Sequence, residues 1–142
     1  MGVVTNVYGT NASDAVTYTK VIVSAGTVAT AAHFTSLKTI INNECARRSL
    51  AGATTVRSTG NLVSAAGLLD LVNAIKRFDA SATTHTKLNA ALFNDYSNKV
   101  AMAGTVCVCN CNYCTCNCNY CTCNCNYCTC NCNYCTCNTQ CP

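Results

Sequence analysis

The chain has 142 residues, a formal net charge of +4 and sixteen cysteines, but no tryptophan and a single proline. That length allows one domain plus an appendage, and no run of 18 apolar residues exists to make a helical membrane span. The Lys and Arg residues are scattered, with only Arg47-Arg48 and Lys76-Arg77 adjacent, so the concentrated basic face that nucleic-acid binding needs is missing.

Composition divides the chain near Gly104. All formally charged residues lie at or before Lys99, and fifteen of the sixteen cysteines lie after Gly104. The expected organisation is a helical assembly or attachment domain over 1–104 and a cysteine-rich repeat over 105–142. The N-terminal MGVVTNVYGTNASDAV lacks both the basic start and the apolar core of a secretory signal. Further on, VTYTKVIV alternates β-branched and aromatic residues and predicts a short strand within the first twenty-four residues.

Two helices follow as an internal duplication over about 24–48 and 58–78. Setting Gly26 on Gly60 brings Thr30 onto Ser64, Phe34 onto Leu68, Leu37 onto Leu71 and Ile41 onto Ile75. Thr30 and Ser64 are hydroxyl N-caps, and the apolar positions share one helix face. The predicted helices run over 31–48 and 65–78, and a third, with Leu88, Leu92, Phe93 and Tyr96, over 86–99. A segment so rich in Ala, Ser and Thr has few large apolar side chains. Phe34, Leu37, Ile41, Leu68, Leu71 and Ile75 are therefore expected to pack between subunits as well as within one. Cys45 reads as a small buried apolar side chain, and Glu44, beside Arg47 and Arg48, as part of a solvated face.

The C-terminal segment consists of five seven-residue units, CVCNCNY, three copies of CTCNCNY, and CTCNTQC. Their cysteines are Cys107, Cys109 and Cys111; Cys114, Cys116 and Cys118; Cys121, Cys123 and Cys125; Cys128, Cys130 and Cys132; and Cys135, Cys137 and Cys141. Within a unit, Cys114, Cys116, Cys118 and Tyr120 share one face of a strand, and Thr115, Asn117 and Asn119 the other. Seven is odd, so the faces would invert at each junction unless the chain turns a corner there. The predicted repeat is a short strand plus a corner. A 3-4 helical spacing of cysteines also exists, but Asn, Thr, Tyr and Cys are mediocre helix formers.

Seven residues are too few for one chain to go round a core. Three intertwined copies could do so, each giving one strand per layer, with cysteines and Tyr113, Tyr120, Tyr127 and Tyr134 turned inward to pack the oligomer. Residues i and i+2 of a strand project in parallel, so disulfides are expected between strands of different chains. The alternative is metal–thiolate binding, since pairs such as Cys109/Cys111 and Cys111/Cys114 have chelating spacing for zinc or copper(I). Against it, the segment from Val100 to Pro142 has no Lys or Arg to balance thiolate charge.

The repeat resembles the intertwined triple-stranded needles and fibres of tailed bacteriophages. The segment VSAGTVATAAHFTSLKTIINNECARR, roughly a fifth of the chain, is similar to helical attachment modules in structural proteins of such phages. The resemblance implies a virion protein, trimeric, made in the host cytoplasm, oxidised after release and bound to other virion proteins, with no nucleic-acid or membrane partner. It carries over no catalytic residue. His33 and His85 have no third partner for a triad or a His-based metal site, and the glycines form neither GxGxxG nor a P-loop. Neither enzymatic activity nor a cofactor is expected.

Overall fold

The computed structural model describes residues 2–54, 58–59, 62–85, 88–124 and 127–137. It divides into two compact units, Tyr18–Ala103 and a second made of Met1–Thr17 with Gly104–Pro142. The composition break near Gly104 thus marks one side of the second unit, while the N-terminal strand, grouped with the helices by composition, belongs with the repeat.

In the helical unit both hydroxyl caps open helices. Helix α1, Ala31–Arg47, starts at Thr30, whose hydroxyl accepts from the His33 N–H at 3.4 Å while His33 Nδ1 accepts from the Thr30 N–H at 3.0 Å. This is a capping box with imidazole in the place usually held by Glu, a role for His33 that its sequence position did not suggest. The helix closes with Leu50 N–H on the Cys45 carbonyl at 2.8 Å and Ser49 N–H on Ala46 at 3.0 Å, Ser49 taking a φ of 56°. Helix α2, Ala65–Lys76, opens at Ser64, whose hydroxyl accepts from the Gly67 N–H at 3.1 Å. Before it, strands β2, Ser58–Thr59, and β3, Leu62–Val63, form a two-residue antiparallel pair that the sequence had not suggested. Helix α3, Ala90–Gly104, lies later in the chain than its predicted 86–99; Thr86 and Lys87 lie outside the described residues.

Phe34, Leu37, Ile41 and Cys45 from α1 meet Leu71, Val72 and Ile75 from α2 and Phe93, Tyr96 and Val100 from α3, with Leu68 packed at the margin. The helix faces expected to pack within a subunit as well as between subunits do pack within the chain, where Phe93, Tyr96 and Val100 complete the core. VTYTKVIV is not a strand. Its backbone is satisfied by side chains of α3 instead: Val21 N–H donates to Ser97 Oγ at 2.8 Å, and Asn94 both accepts from Val23 N–H at 2.8 Å and donates to its carbonyl at 2.9 Å.

Glu44, expected on a solvated face, is fully buried. Arg47 and Arg48 both bond its Oε1, at 2.6 and 2.5 Å, Tyr18 donates to Oε2 at 3.1 Å, and the two guanidinium groups also reach the Ala103 carbonyl near the end of α3 at 3.0 and 2.9 Å. One carboxylate thereby joins α1, the segment before it and α3.

In the β unit, β1, Val3–Ser13, pairs antiparallel with β4, Val106–Asn117, along nearly its whole length. The other strands pair in parallel: β4 with β5, Tyr120–Cys123, and with β6, Tyr127–Asn131, and β5 with β7, Tyr134–Cys137. Every parallel partner is fourteen residues away: Val106 faces Tyr120, Tyr113 faces Tyr127, and Tyr120 faces Tyr134. Two seven-residue units therefore make one coil of a β-solenoid, and the chain pairs its own strands without partner chains. The expectation that three chains were needed assumed one unit per coil. Two units supply two strands and two corners, enough backbone to enclose a thin core.

Replacing Glu44 with Ala leaves two arginines facing a buried void, and the expected loss of stability, read by chemical denaturation, is about 3 kcal/mol. Tyr18 supplies a pH signature. Burial, then the Glu44 carboxylate, push its pKa from about 10 up to about 12. The folded chain keeps that proton where the unfolded chain has lost it, so this contribution is intact below about pH 10 and is lost as pH rises to about 12. In Tyr18→Phe the stability decline across that window should be shallower than in the parent.

A candidate functional site in the sulfur core

The β unit encloses Cys107, Cys109, Cys114, Cys116, Cys118, Cys121, Cys123 and Cys128 with Ala15, and Val4, Ala12, Cys130 and Cys132 pack at its margin. Cys135 is exposed on β7. Cys111 and Cys137 are placed by their backbone positions in β4 and β7, and Cys125 and Cys141 lie outside the described residues. The described cysteines of β4, β5 and β6 turn inward, as the alternation predicts, but the corner falls one residue earlier than expected. Asn119 and Tyr120 are both exposed in succession, which resets the phase and sends tyrosine outward. Tyr113, Tyr120, Tyr127 and Tyr134 are 44 to 66% exposed. The reason is thickness: sulfurs from opposite walls meet at 2.9 Å (Cys109 to Cys116) and 3.7 Å (Cys116 to Cys123), leaving no room for a phenol ring.

Outside, identical residues stack coil on coil. Tyr113 lies on Tyr127 with ring centres 4.9 Å apart and planes 8° from parallel, and Tyr120 on Tyr134 at 5.3 Å and 10°. Asn124 donates to Asn110 Oδ1 at 3.3 Å. Cross-strand pairs of this kind each contribute about 0.2 to 1 kcal/mol, and they fix the coil register from outside as the sulfurs do from within. At one end, a Cβ on Gly2 would overlap Cys118 and press on the Cys107 sulfur, so glycine lets the start of the chain close against the core.

Three kinds of sulfur contact occur. Along a strand, Cys114 and Cys116 are 3.8 Å apart and Cys128 and Cys130 2.9 Å; across the core, Cys123 and Cys130 are 3.7 Å apart; between coils, Cys114 reaches Cys128 at 3.4 Å and Cys118 reaches Cys132 at 3.5 Å. Hydrogen bonds from Cys109, then Cys121 and Cys123, hold the Cys116 pKa far below the usual thiol range, while the same contacts push Cys109 and Cys121 up. Four groupings place their sulfurs within 4.8 Å of one another: Cys109, Cys114, Cys116 and Cys123; Cys116, Cys123, Cys128 and Cys130; Cys121, Cys123, Cys130 and Cys135; and Cys118, Cys121 and Cys132. The sequence showed chelating spacing along the chain, but these sets join residues from different coils, which only the fourteen-residue register reveals.

Cys45, in the other unit, is fully buried and its thiol faces the Ala74 carbonyl at 3.7 Å. His85 bonds the Thr83 hydroxyl at 2.8 Å. No helix among the described residues is long and apolar enough to cross a membrane. Comparison with protein-family models, with curated proteins and with solved structures finds no match to this chain.

The stacked rings test the register directly. Mild photo-oxidation should give dityrosine linking Tyr113 to Tyr127 and Tyr120 to Tyr134 within one chain, identified by peptide mapping. Links between tyrosines seven apart would point to a different coil.

Proposed function

We propose that the protein is a structural component of a tailed-phage virion, with a helical attachment unit and a short β-solenoid locked by disulfides. The observation that supports a structural role most strongly is the composition of the solenoid interior: cysteine side chains fill it, with alanine and valine packed beside them. The phage assignment rests on the similarity of the segment before and through α1 to phage attachment modules. Each disulfide forms when two thiols lose two protons and two electrons, taken by dioxygen or a small-molecule disulfide after release from the host.

Among the close pairs that share no sulfur are Cys109 with Cys116, Cys114 with Cys128 and Cys118 with Cys132, whose sulfurs stand 2.9, 3.4 and 3.5 Å apart. The first joins opposite walls of a coil and the other two tie successive coils. These links are intrachain, unlike the interchain bonds expected from seven-residue layers. A coil rises about 4.8 Å, so five units at two per coil stand about 12 Å tall. In a homo-oligomer, three copies by the sequence reading, the exposed tyrosine ladders and exposed apolar side chains such as Val28 and Ile22 would offer surfaces for contacts with copies or other virion proteins.

Intact mass of air-oxidised protein is expected to fall by about two units per disulfide, with peptide maps showing the three intrachain pairs. A non-reduced chain should run faster than the reduced one. Fully alkylatable thiols in native particles would overturn the crosslinked reading. The four-sulfur groupings favour a second reading, thiolate metal binding, for the reduced chain.

A further inference from the structure

Two of the sulfur quartets share an edge. Cys109, Cys114, Cys116 and Cys123 form one, Cys116, Cys123, Cys128 and Cys130 the next, and Cys116 and Cys123 belong to both. A tetrahedral zinc with Zn–S bonds of about 2.3 Å needs its sulfurs about 3.8 Å apart. In the first quartet the Cys109–Cys116, Cys114–Cys116 and Cys116–Cys123 separations are 2.9, 3.8 and 3.7 Å. In the second, Cys123–Cys128, Cys123–Cys130 and Cys128–Cys130 are 3.3, 3.7 and 2.9 Å apart. All sulfurs of a quartet lie within 4.8 Å of one another, so each pair stands within about 1 Å of the separation a tetrahedral ion needs. Five of the six residues are buried, and Cys130 is partly so.

We propose that the reduced core is a binuclear thiolate site in which two divalent ions of zinc type are each held by four sulfurs, with Cys116 and Cys123 bridging them. This deepens the second reading above and concerns the reduced protein only. Charge is the reason for bridging. Two separate four-thiolate centres would require eight sulfurs and carry −4, whereas two ions sharing two sulfurs need six and carry −2. The sequence from Val100 onward has no Lys, Arg or His to balance the larger charge. Loading is balanced by protons: six thiols and two divalent ions give the cluster and six protons released to buffer. Tetrahedral all-sulfur coordination selects zinc-type ions over calcium or magnesium, which take oxygen ligands. The site and the disulfides use the same sulfurs, so oxidation of Cys109, Cys116, Cys114 and Cys128 must expel the ions.

The test is anaerobic titration of reduced full-length protein with cobalt(II), then zinc, read by thiolate-to-cobalt absorption and native mass spectrometry. Two ions per chain are expected, with the tetrahedral cobalt bands bleached by zinc. Cys116→Ser or Cys123→Ser should reduce binding to one ion or none, while Cys45→Ala, in the helical unit and in none of the sulfur groupings, should keep two. If a bridging variant fails to fold, the wild-type stoichiometry and cobalt spectrum still decide. No bound ion, four or more ions per chain, or equal loss in all three variants would overturn the proposal. The disulfide reading fails separately: it is judged by the thiol count of air-oxidised or particle-derived protein, whatever the reduced chain binds.

Discussion

Parallel pairing between residues fourteen apart sets the register of the repeat strands, β4 to β7. It places like on like, so cysteine lies over cysteine inside and tyrosine over tyrosine outside, and both ladders resist a slip for different reasons. A one-residue slip would bring phenol rings to a core whose walls are joined by sulfur contacts of 2.9 to 3.7 Å, and would expose the cysteines. β1 then covers one edge of the first coil. Its antiparallel register is interrupted between Thr5 and Asn11, opposite Asn110–Thr115, where β4 bends from one wall to the next.

The helical unit depends on a different constraint, a buried carboxylate. Removing Glu44 and two arginines from water is costly and is offset only because every charged group is bonded. Glu44 receives both guanidinium groups and the Tyr18 hydroxyl, and the guanidinium groups also satisfy the Ala103 carbonyl in the last turn of α3. Cations at that position complement the negative end of the helix. A network so closed specifies which helices meet more than it adds net stability.

The sulfur core has two mutually exclusive chemistries. Thiols held within about 1 Å of the separation a tetrahedral ion requires can close on metal, and pairs such as Cys109 and Cys116 need move by only about 1 Å to form a disulfide. Which occurs depends on redox poise, since ligating sulfur must be reduced and deprotonated.

Much of the local structure is legible in the sequence. Thr30 and Ser64 announce two helices because a hydroxyl before an apolar-periodic run satisfies a free N–H, and alternation in the repeat puts cysteine on one face because strand side chains alternate. Inward-facing cysteines, the buried Cys45 and the duplicated helices follow from such nearest-neighbour rules. What local rules could not decide was how many units close a coil. A seven-residue repeat is compatible with seven- or fourteen-residue registers, and only the distance between the two walls, set by sulfur, selects two units per turn and sends tyrosine outward. The same holds for Glu44, whose flanking arginines look identical on a solvated face and in a buried cluster, until α3 arrives to exclude water. The strand predicted in VTYTKVIV was lost for that reason too: Asn94 and Ser97 lie more than seventy residues away in sequence and took the hydrogen bonds that a neighbouring strand would have made. Sequence by itself determined which groups need partners. Tertiary structure decided which partners they found, because packing of distant segments sets where water is excluded.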